Sequence, residues 1–516
     1  MERGNTDDSM TTAHSQGQVK GVSRFREVLP QVLASVACNF VLLDLNLSLA
    51  YPTIVIAQLH QKAGPLSLND VQASWLGSIA YICQPFGSLS SGMLVEWLGR
   101  KRFMMLLNVP FLLGWLLMCT APNYVVLCVA SVIVGVTIGL TEAPINSYIG
   151  EVCQPEIRGM MTACAGTAYQ TGFFLEYLLG TVTHWRTVAF INAVFPVVTA
   201  VYLSQVPESP IWLLSKGRNR DAEKALCWLR GWVKPAAVKE EFSQLIRYNE
   251  ETMRKAALRP PPDVEQPEAN ALLDLEGHKT NSKAPAKPRW ESLDRVRDLF
   301  RLPTLRPLSI VIPFFFFVHW SGITSIRPYM VHVFEGFRVP IDPKWATVVM
   351  AGTGILGSLC LLLLIHSAGK RFLSLCGTAV CCAACVLLGL YAFLVPEVAD
   401  PATRWLPLAL FIVLAFTQSI VSQIPWTLLC EVFPFRTRGL ASGITAAACY
   451  IFLFLASKTY LDIESGLLLH GAFWFYGCVS FVGFLFLYFR LLETEGKTLE
   501  EIENQFTGKV NARGSE

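Results

Sequence analysis

Charge is what this 516-residue chain has least of: Asp, Glu, Lys and Arg make up 16% of it, against roughly 25% in soluble proteins. With 53% hydrophobic residues and a mean hydropathy of +0.43, the chain belongs in a lipid bilayer. The net charge is only +3, and the basic residues are scattered over predicted loops, so no single face suits nucleic acid. A nucleophile beside a base, metal-ligand spacing and a phosphate-cradling glycine loop are all missing, so the sequence predicts no enzyme, no metal and no cofactor. The first residues are polar and lack an early apolar core before a small-residue cleavage site; no removable leader is expected. Cysteine is not scarce, but the fifteen present lie mostly inside apolar runs, as Cys381, Cys382 and Cys385 do. They are read as packing, not as redox or metal residues.

What the chain does have is long uncharged runs. Val71 to Val95 and Phe103 to Thr141 carry no charged residue and flank a short basic interruption ending Gly99-Arg100-Lys101-Arg102. The same arrangement returns at Gly369-Lys370-Arg371, which predicts two related halves. Allowing about 20 residues per crossing, the sequence predicts an all-α membrane protein of twelve transmembrane helices in two pseudo-symmetric six-helix bundles. The expected layout is a tail 1–27, a first bundle 28–206, a linker 207–307, a second bundle 308–489 and a tail 490–516. Within the linker, Asp221 to Trp232 and Val238 to Lys255 have amphipathic helical spacing, and Pro- and charge-rich 259–287 is expected to be disordered.

Basic residues set the orientation. Thirty-five of the 42 Lys and Arg fall on one predicted side, which the positive-inside rule makes cytoplasmic, with both termini there. Lys62, Arg186, Arg327, Arg338, Lys344, Arg404 and Lys458 are the exceptions. Pro52, Pro144, Pro313, Pro328 and Pro425, with Gly322 and Gly354, interrupt spans where a kink or close backbone approach would open a polar path.

Three motifs recur in order. The first holds Gly92, Glu96, Gly99, Arg100 and Lys101. The second runs from Glu151 to Pro155, Arg158 and Gly159, and is mirrored by Glu431, Pro434, Arg438 and Gly439. The third is Pro207-Glu208-Ser209-Pro210, with Glu493, Gly496 and Glu500 near the end. Over nearly its whole length the chain thereby resembles the sugar porter branch of the major facilitator superfamily, in phrasing most like insect facilitated trehalose transporters and their paralogues. The resemblance implies facilitated sugar transport by alternating access at the cell membrane, and a salt-bridge latch at Glu96, Arg100, Glu151, Arg158, Glu208, Glu431 and Arg438. Expected partners are a small polar solute and the bilayer; a monomer suffices.

The resemblance also implies a substrate site, where this chain departs from its family. The paired glutamines and Ser-Gly-Ile-Asn of span seven become Val318-His319-Trp320-Ser321-Gly322-Ile323-Thr324, and the Asn-Trp of span eleven becomes Cys449-Tyr450. Gly166 stands where a span-five glutamine is usual, and Ser422-Gln423-Ile424-Pro425-Trp426 keeps the kink and the indole. The expected substrate-binding residues are therefore Gln170, His319, Trp320, Ser321, Thr324, Gln423, Trp426 and Tyr450. Ionisable residues inside spans cost about 2.5 to 3.5 kcal/mol at midplane. Asp44, Asn46 and Glu142 form a candidate proton or cation site, with a structural hydrogen-bonded Asp44–Glu142 pair as the other reading; Glu176 and Arg327 are expected as interfacial charges. A proton-linked or organic-cation carrier and a non-transporting solute sensor stay open as alternatives.

Overall fold

The computed structural model describes residues 23–62, 66–257, 302–394, 403–433 and 438–495. Among them the chain is helical apart from an isolated bridge between His60 and Leu68. Residues 23–31 and 207–257 form one compact unit, and the remaining described residues form a second, larger one. The expected disordered stretch 259–287 and the side chains of Arg158 and Arg438 lie outside the described residues.

The first half of the chain opens with α1 (Arg24–Leu59), α2 (Asp70–Leu98), α3 (Arg100–Thr120), α4 (Tyr124–Val152) and α5 (Pro155–Val182). It continues with α6 (Trp185–Asn192) and α7 (Val194–Gln205). α2 starts at a reciprocal cap, in which the Asn69 side chain accepts from the Gln72 N–H and the Gln72 side chain accepts from the Asn69 N–H, satisfying two otherwise orphaned donors. It ends at Gly99, whose φ of 98° only glycine adopts without strain, so the chain reverses directly into α3.

The smaller unit carries α8 (Pro210–Ser215), α9 (Asn219–Leu229) and α10 (Pro235–Ala257). The last two agree with the amphipathic spacing. Ala222 and Ala225 of α9 bury against Trp212, Leu213 and Phe242, and Arg230 forks onto Glu241 at 2.7 Å.

The second half comprises α11 (Leu302–His319), α12 (Ile323–Ile326), a 3-10 turn Arg327–Tyr329 and α13 (Met330–Gly336). It then runs through α14 (Pro343–Ala368), α15 (Lys370–Leu394), α16 (Trp405–Val421), α17 (Ile424–Glu431) and α18 (Arg438–Arg490). The repeat read from the basic turns is visible in packing. Gly114 of α3 faces Val134 of α4 as Gly377 of α15 faces Val421 of α16, and Gly369 repeats the positive φ of Gly99. Close approach is needed most between α2 and α4. A Cβ on Gly135 would fall 2.5 Å from the Ala80 carbonyl oxygen, and one on Gly139 would overlap the Gln84 backbone. Small residues four apart let two membrane helices touch along their backbones.

Among the described residues, eight helices are long and apolar enough to cross a membrane, and nine if the pair on either side of the α11 break is one span. The difference from twelve has physical causes. α2 and α5 have membrane length but are more polar, with Ser74, Ser78 and Gln84 buried on α2 and Thr167, Gln170 and Thr171 along α5; these helices pack on the other half, α2 on α18 and α5 on α14. The last two expected spans run together as α18, 53 residues long. At 1.5 Å per residue that is about 80 Å, more than twice a bilayer core, and the break falls at Leu468, φ 61°.

Candidate functional site

Two helices of the second half are broken, and both breaks carry residues of the expected site. α11 stops at His319, Gly322 takes φ 108°, and the axis bends by 52°. A bend inside a membrane leaves carbonyls without their helical donors, which must find partners nearby. Gln418 of α16 supplies one: its Nε2 donates to the Val318 carbonyl at 2.8 Å, while its Oε1 accepts from the Ser321 hydroxyl at 2.9 Å. Between α16 and α17, Pro425 has no N–H to give, and the Gln423 Nε2 donates to the Ser419 carbonyl at 2.8 Å. Nothing in the motif pattern points to Gln418; a lone amide on an otherwise apolar helix is its signal.

The structure gathers most of the expected site. The His319 Nε2 meets the Cys449 thiol at 3.1 Å, and the Phe315 ring, parallel to that of His319, takes the Trp426 ring on edge at 4.9 Å. Trp426 lies 6.3 Å from Tyr450. Gln423 abuts Gly166 of α5, and Gln170 of α5 abuts Gly354 of α14, so residues of both halves meet here. With its Nε2 on Cys449, His319 keeps a buried Nδ1 that has no hydrogen-bond partner among the described residues, a position a solute hydroxyl would satisfy. Thr324 is buried beside the break. Trp320 is not brought to this group: it stacks on Phe316 and meets Phe475.

The ionisable residues are separated. Asp44 is fully buried and accepts from the Trp115 Nε1 at 3.0 Å, whereas Glu142 faces the Tyr450 hydroxyl; the two do not form the structural pair. Asn46 donates to the Leu42 carbonyl and sits against Gly172. Two interfacial expectations are overturned by packing. Glu176 is fully buried and accepts from the Asn192 amide at 2.7 Å. Arg327 lies among aromatics of the first half, 4.3 Å from the Phe173 ring centre, with Nη1 donating to the Tyr169 hydroxyl at 3.4 Å.

The motif charges occupy one end of the larger unit, where α2, α4 and α16–α17 finish. Arg100 donates twice to Glu151, at 2.7 and 3.0 Å. Glu431 is taken by Lys370 at 2.6 Å, which also reaches Glu495 at 2.9 Å, and Glu493 accepts the backbone N–H groups of Lys370 and Arg371. Lys370, Glu493 and Glu495 thus join a network that the expected latch residues only began. Glu96 is exposed on α2, and Glu208 in the smaller unit accepts from the Ser209 N–H at 3.0 Å.

The opposite end joins the halves. Register places Thr53 near the finish of α1, Ser74 and Gly77 near the start of α2, and Thr181 in the last turn of α5. Thr53 donates to the Arg327 carbonyl at 2.9 Å, Thr181 to the Lys344 carbonyl at 3.4 Å and Ser457 to the Gly77 carbonyl at 3.0 Å. Lys458 donates to the Ser74 hydroxyl at 2.6 Å and stands 5.1 Å over the Trp75 ring.

Solved structures share this architecture. The E. coli xylose transporter XylE in a partially occluded inward-open conformation aligns with a TM-score of 0.67 at 17% identity, over 92% of this chain and 99% of that one. The proton:xylose symporter XylE bound to 6-bromo-6-deoxy-D-glucose gives 0.64 at 19%, over 93% and 99%. Halves meeting at broken, polar-lined helices give the chain the fold of these integral membrane proteins. The chain belongs to the family described as Sugar (and other) transporter, which it matches over residues 33–506. Among curated relatives, the facilitated trehalose transporter Tret1 of Culex quinquefasciatus is 29% identical over 94% of this chain and 87% of its own length. That of Polypedilum vanderplanki is 28% identical over 95% and 90%. That of Drosophila mojavensis is 28% identical over 94% of this chain, which spans 52% of that relative's length.

Proposed function

We propose that this protein moves a small polar solute of the sugar class down its gradient by alternating access. In this reading it crosses the cell membrane twelve times as two six-helix bundles, with both termini and the Arg100 and Lys370 networks cytoplasmic. The observation that carries it is the gathering of His319, Gln423, Trp426 and Tyr450 beside both helix breaks, with Gln423 against Gly166 of the other half, about one turn from Gln170. Hydroxyls would be read by the amides and imidazole, and the indole would stack on an apolar sugar face. The relatives' names make trehalose the first solute to try. Contacts across the halves at the opposite end, such as Lys458 on Ser74, would bias the equilibrium between inward- and outward-open forms without locking it.

Labelled trehalose and glucose should enter proteoliposomes saturably and without regard to an uncoupler. Trp426→Ala should lower that uptake about tenfold, equivalent to ~1.4 kcal/mol of lost binding, at unchanged protein level; parallel loss of uptake and protein would make Trp426 a packing residue. A second reading has its own observation. Asp44 and Glu176 each keep a buried carboxylate oxygen unpartnered among the described residues, which suits proton linkage. Acceleration by an inward proton gradient would favour it over passive flux.

A further inference from the structure

Three of the seven basic residues on the wrong side of the charge asymmetry lie where the halves meet: Arg327, Lys344 and Lys458. Lys458 has a hydroxyl and an indole for company. None of the three has a carboxylate within ion-pair distance among the described residues. Arg327 rests on the Phe173 face and the Tyr169 hydroxyl, with Tyr81 turned toward it. Lys344 lines a pocket between the halves with Thr53, Gln58, Tyr177, Thr181 and Thr347, and no carboxylate lines that pocket. The Arg327 carbonyl is held by Thr53, a wall of the same pocket.

A guanidinium inside a membrane protein is ordinarily answered by an acid. Phenol oxygens and a ring face satisfy its hydrogen-bonding fork only in part, whereas a carboxylate matches that fork with two charge-assisted hydrogen bonds. A neutral sugar needs no such cation, since amides and hydroxyls serve its hydroxyl groups. We propose that the carrier takes a solute through a carboxylate bound to Arg327, with Lys344 of the neighbouring pocket drawing the anion in; the solute class is a sugar acid, such as a hexuronate. This rests on the carrier reading and narrows its substrate.

The test measures uptake of labelled D-glucuronate and D-glucose into proteoliposomes of the full chain, alongside the thermal midpoint of the purified protein with each. Glucuronate should enter saturably and raise the midpoint, and glucose should do so less. Arg327→Gln should cut glucuronate uptake about tenfold or more, Arg327→Lys should retain part of it, and Lys344→Gln should raise KM several-fold with kcat kept. Entry of glucose without glucuronate, or glucuronate uptake indifferent to Arg327→Gln, overturns the inference and leaves the carrier intact. Flux of neither solute, with neither shifting the wild-type midpoint, counts against the sugar-class carrier itself and takes this inference with it. Should Arg327→Gln fail to fold, the wild-type midpoints decide: stabilisation by glucose and not glucuronate refutes the anion site.

Discussion

Arg100 and Lys370 direct their charge within their own halves, onto Glu151 and onto Glu431 with Glu495. Arg327 and Lys458 carry theirs from the second half onto Tyr169, Phe173, Ser74 and Trp75 of the first. An ion pair inside one half survives any motion of the halves and sets that half's stability. A cation on an aromatic face or hydroxyl across the boundary is worth about 0.5 to 2 kcal/mol, small enough to part when the halves separate. The two ends of the molecule are therefore built for different tasks, one for integrity and the other for closure.

The comparison breaks most visibly at Lys370. Its side chain is 6% exposed and serves two carboxylates, so Lys370→Met should cost about 3 kcal/mol by leaving them without a cation. The readout is a lowered thermal midpoint in detergent. Arg100→Met removes a more exposed cation that serves one carboxylate, so it should lower it less, and equal effects would remove the distinction between the two networks. Lys458→Met should cost about 1 kcal/mol and shift the closed-to-open ratio about five-fold. A cysteine placed at Thr53 should then react faster with a membrane-impermeant maleimide, while Lys370→Met leaves that rate unchanged.

The smallest effect is expected at Asp70, at the head of α2. His60 and Gln61 donate to its carboxylate at 2.8 and 2.9 Å and hold it below the usual carboxylate range, with His332 adding a weaker pull. A depressed acid stabilises the fold above its unfolded pKa of about 3.9 and loses that contribution as pH falls through the folded value. Asp70→Asn should flatten that acid limb of a midpoint-against-pH curve by lowering the neutral-pH midpoint slightly and leaving the low-pH midpoint unchanged, a small effect since the group is largely exposed.

Much of the fold was legible because its signals are local. Uncharged runs marked the helices, Gly99 and Gly369 marked matching reversals, and Gly322 and Pro425 marked the two breaks. The site was legible in part. Phe315 lies between His319 and Trp426, and Trp426 reaches Tyr450, while Trp320, one position along a bending helix, turns to Phe316 and Phe475. Gln418, Glu176 and the aromatic seat of Arg327 were not legible as partners, because each contact joins residues on helices far apart in sequence. The count of basic residues did hold a clue: Arg327, Lys344 and Lys458 were conspicuous for breaking its asymmetry.

By itself the sequence determined that the chain enters a membrane as two repeated sets of helices; of the Pro and Gly it singled out, Pro52, Pro144, Pro313 and Gly354 lie within unbroken helices. Hydropathy, Gly and Pro act within a turn or two of the chain. Only the tertiary structure decided which buried polar group answers which: Gln418 for the open carbonyl of Val318, Trp115 for Asp44, Asn192 for Glu176 and a ring face for Arg327. In a medium without water every polar group must find its partner in the protein, and that choice belongs to whichever helices the packing brings side by side.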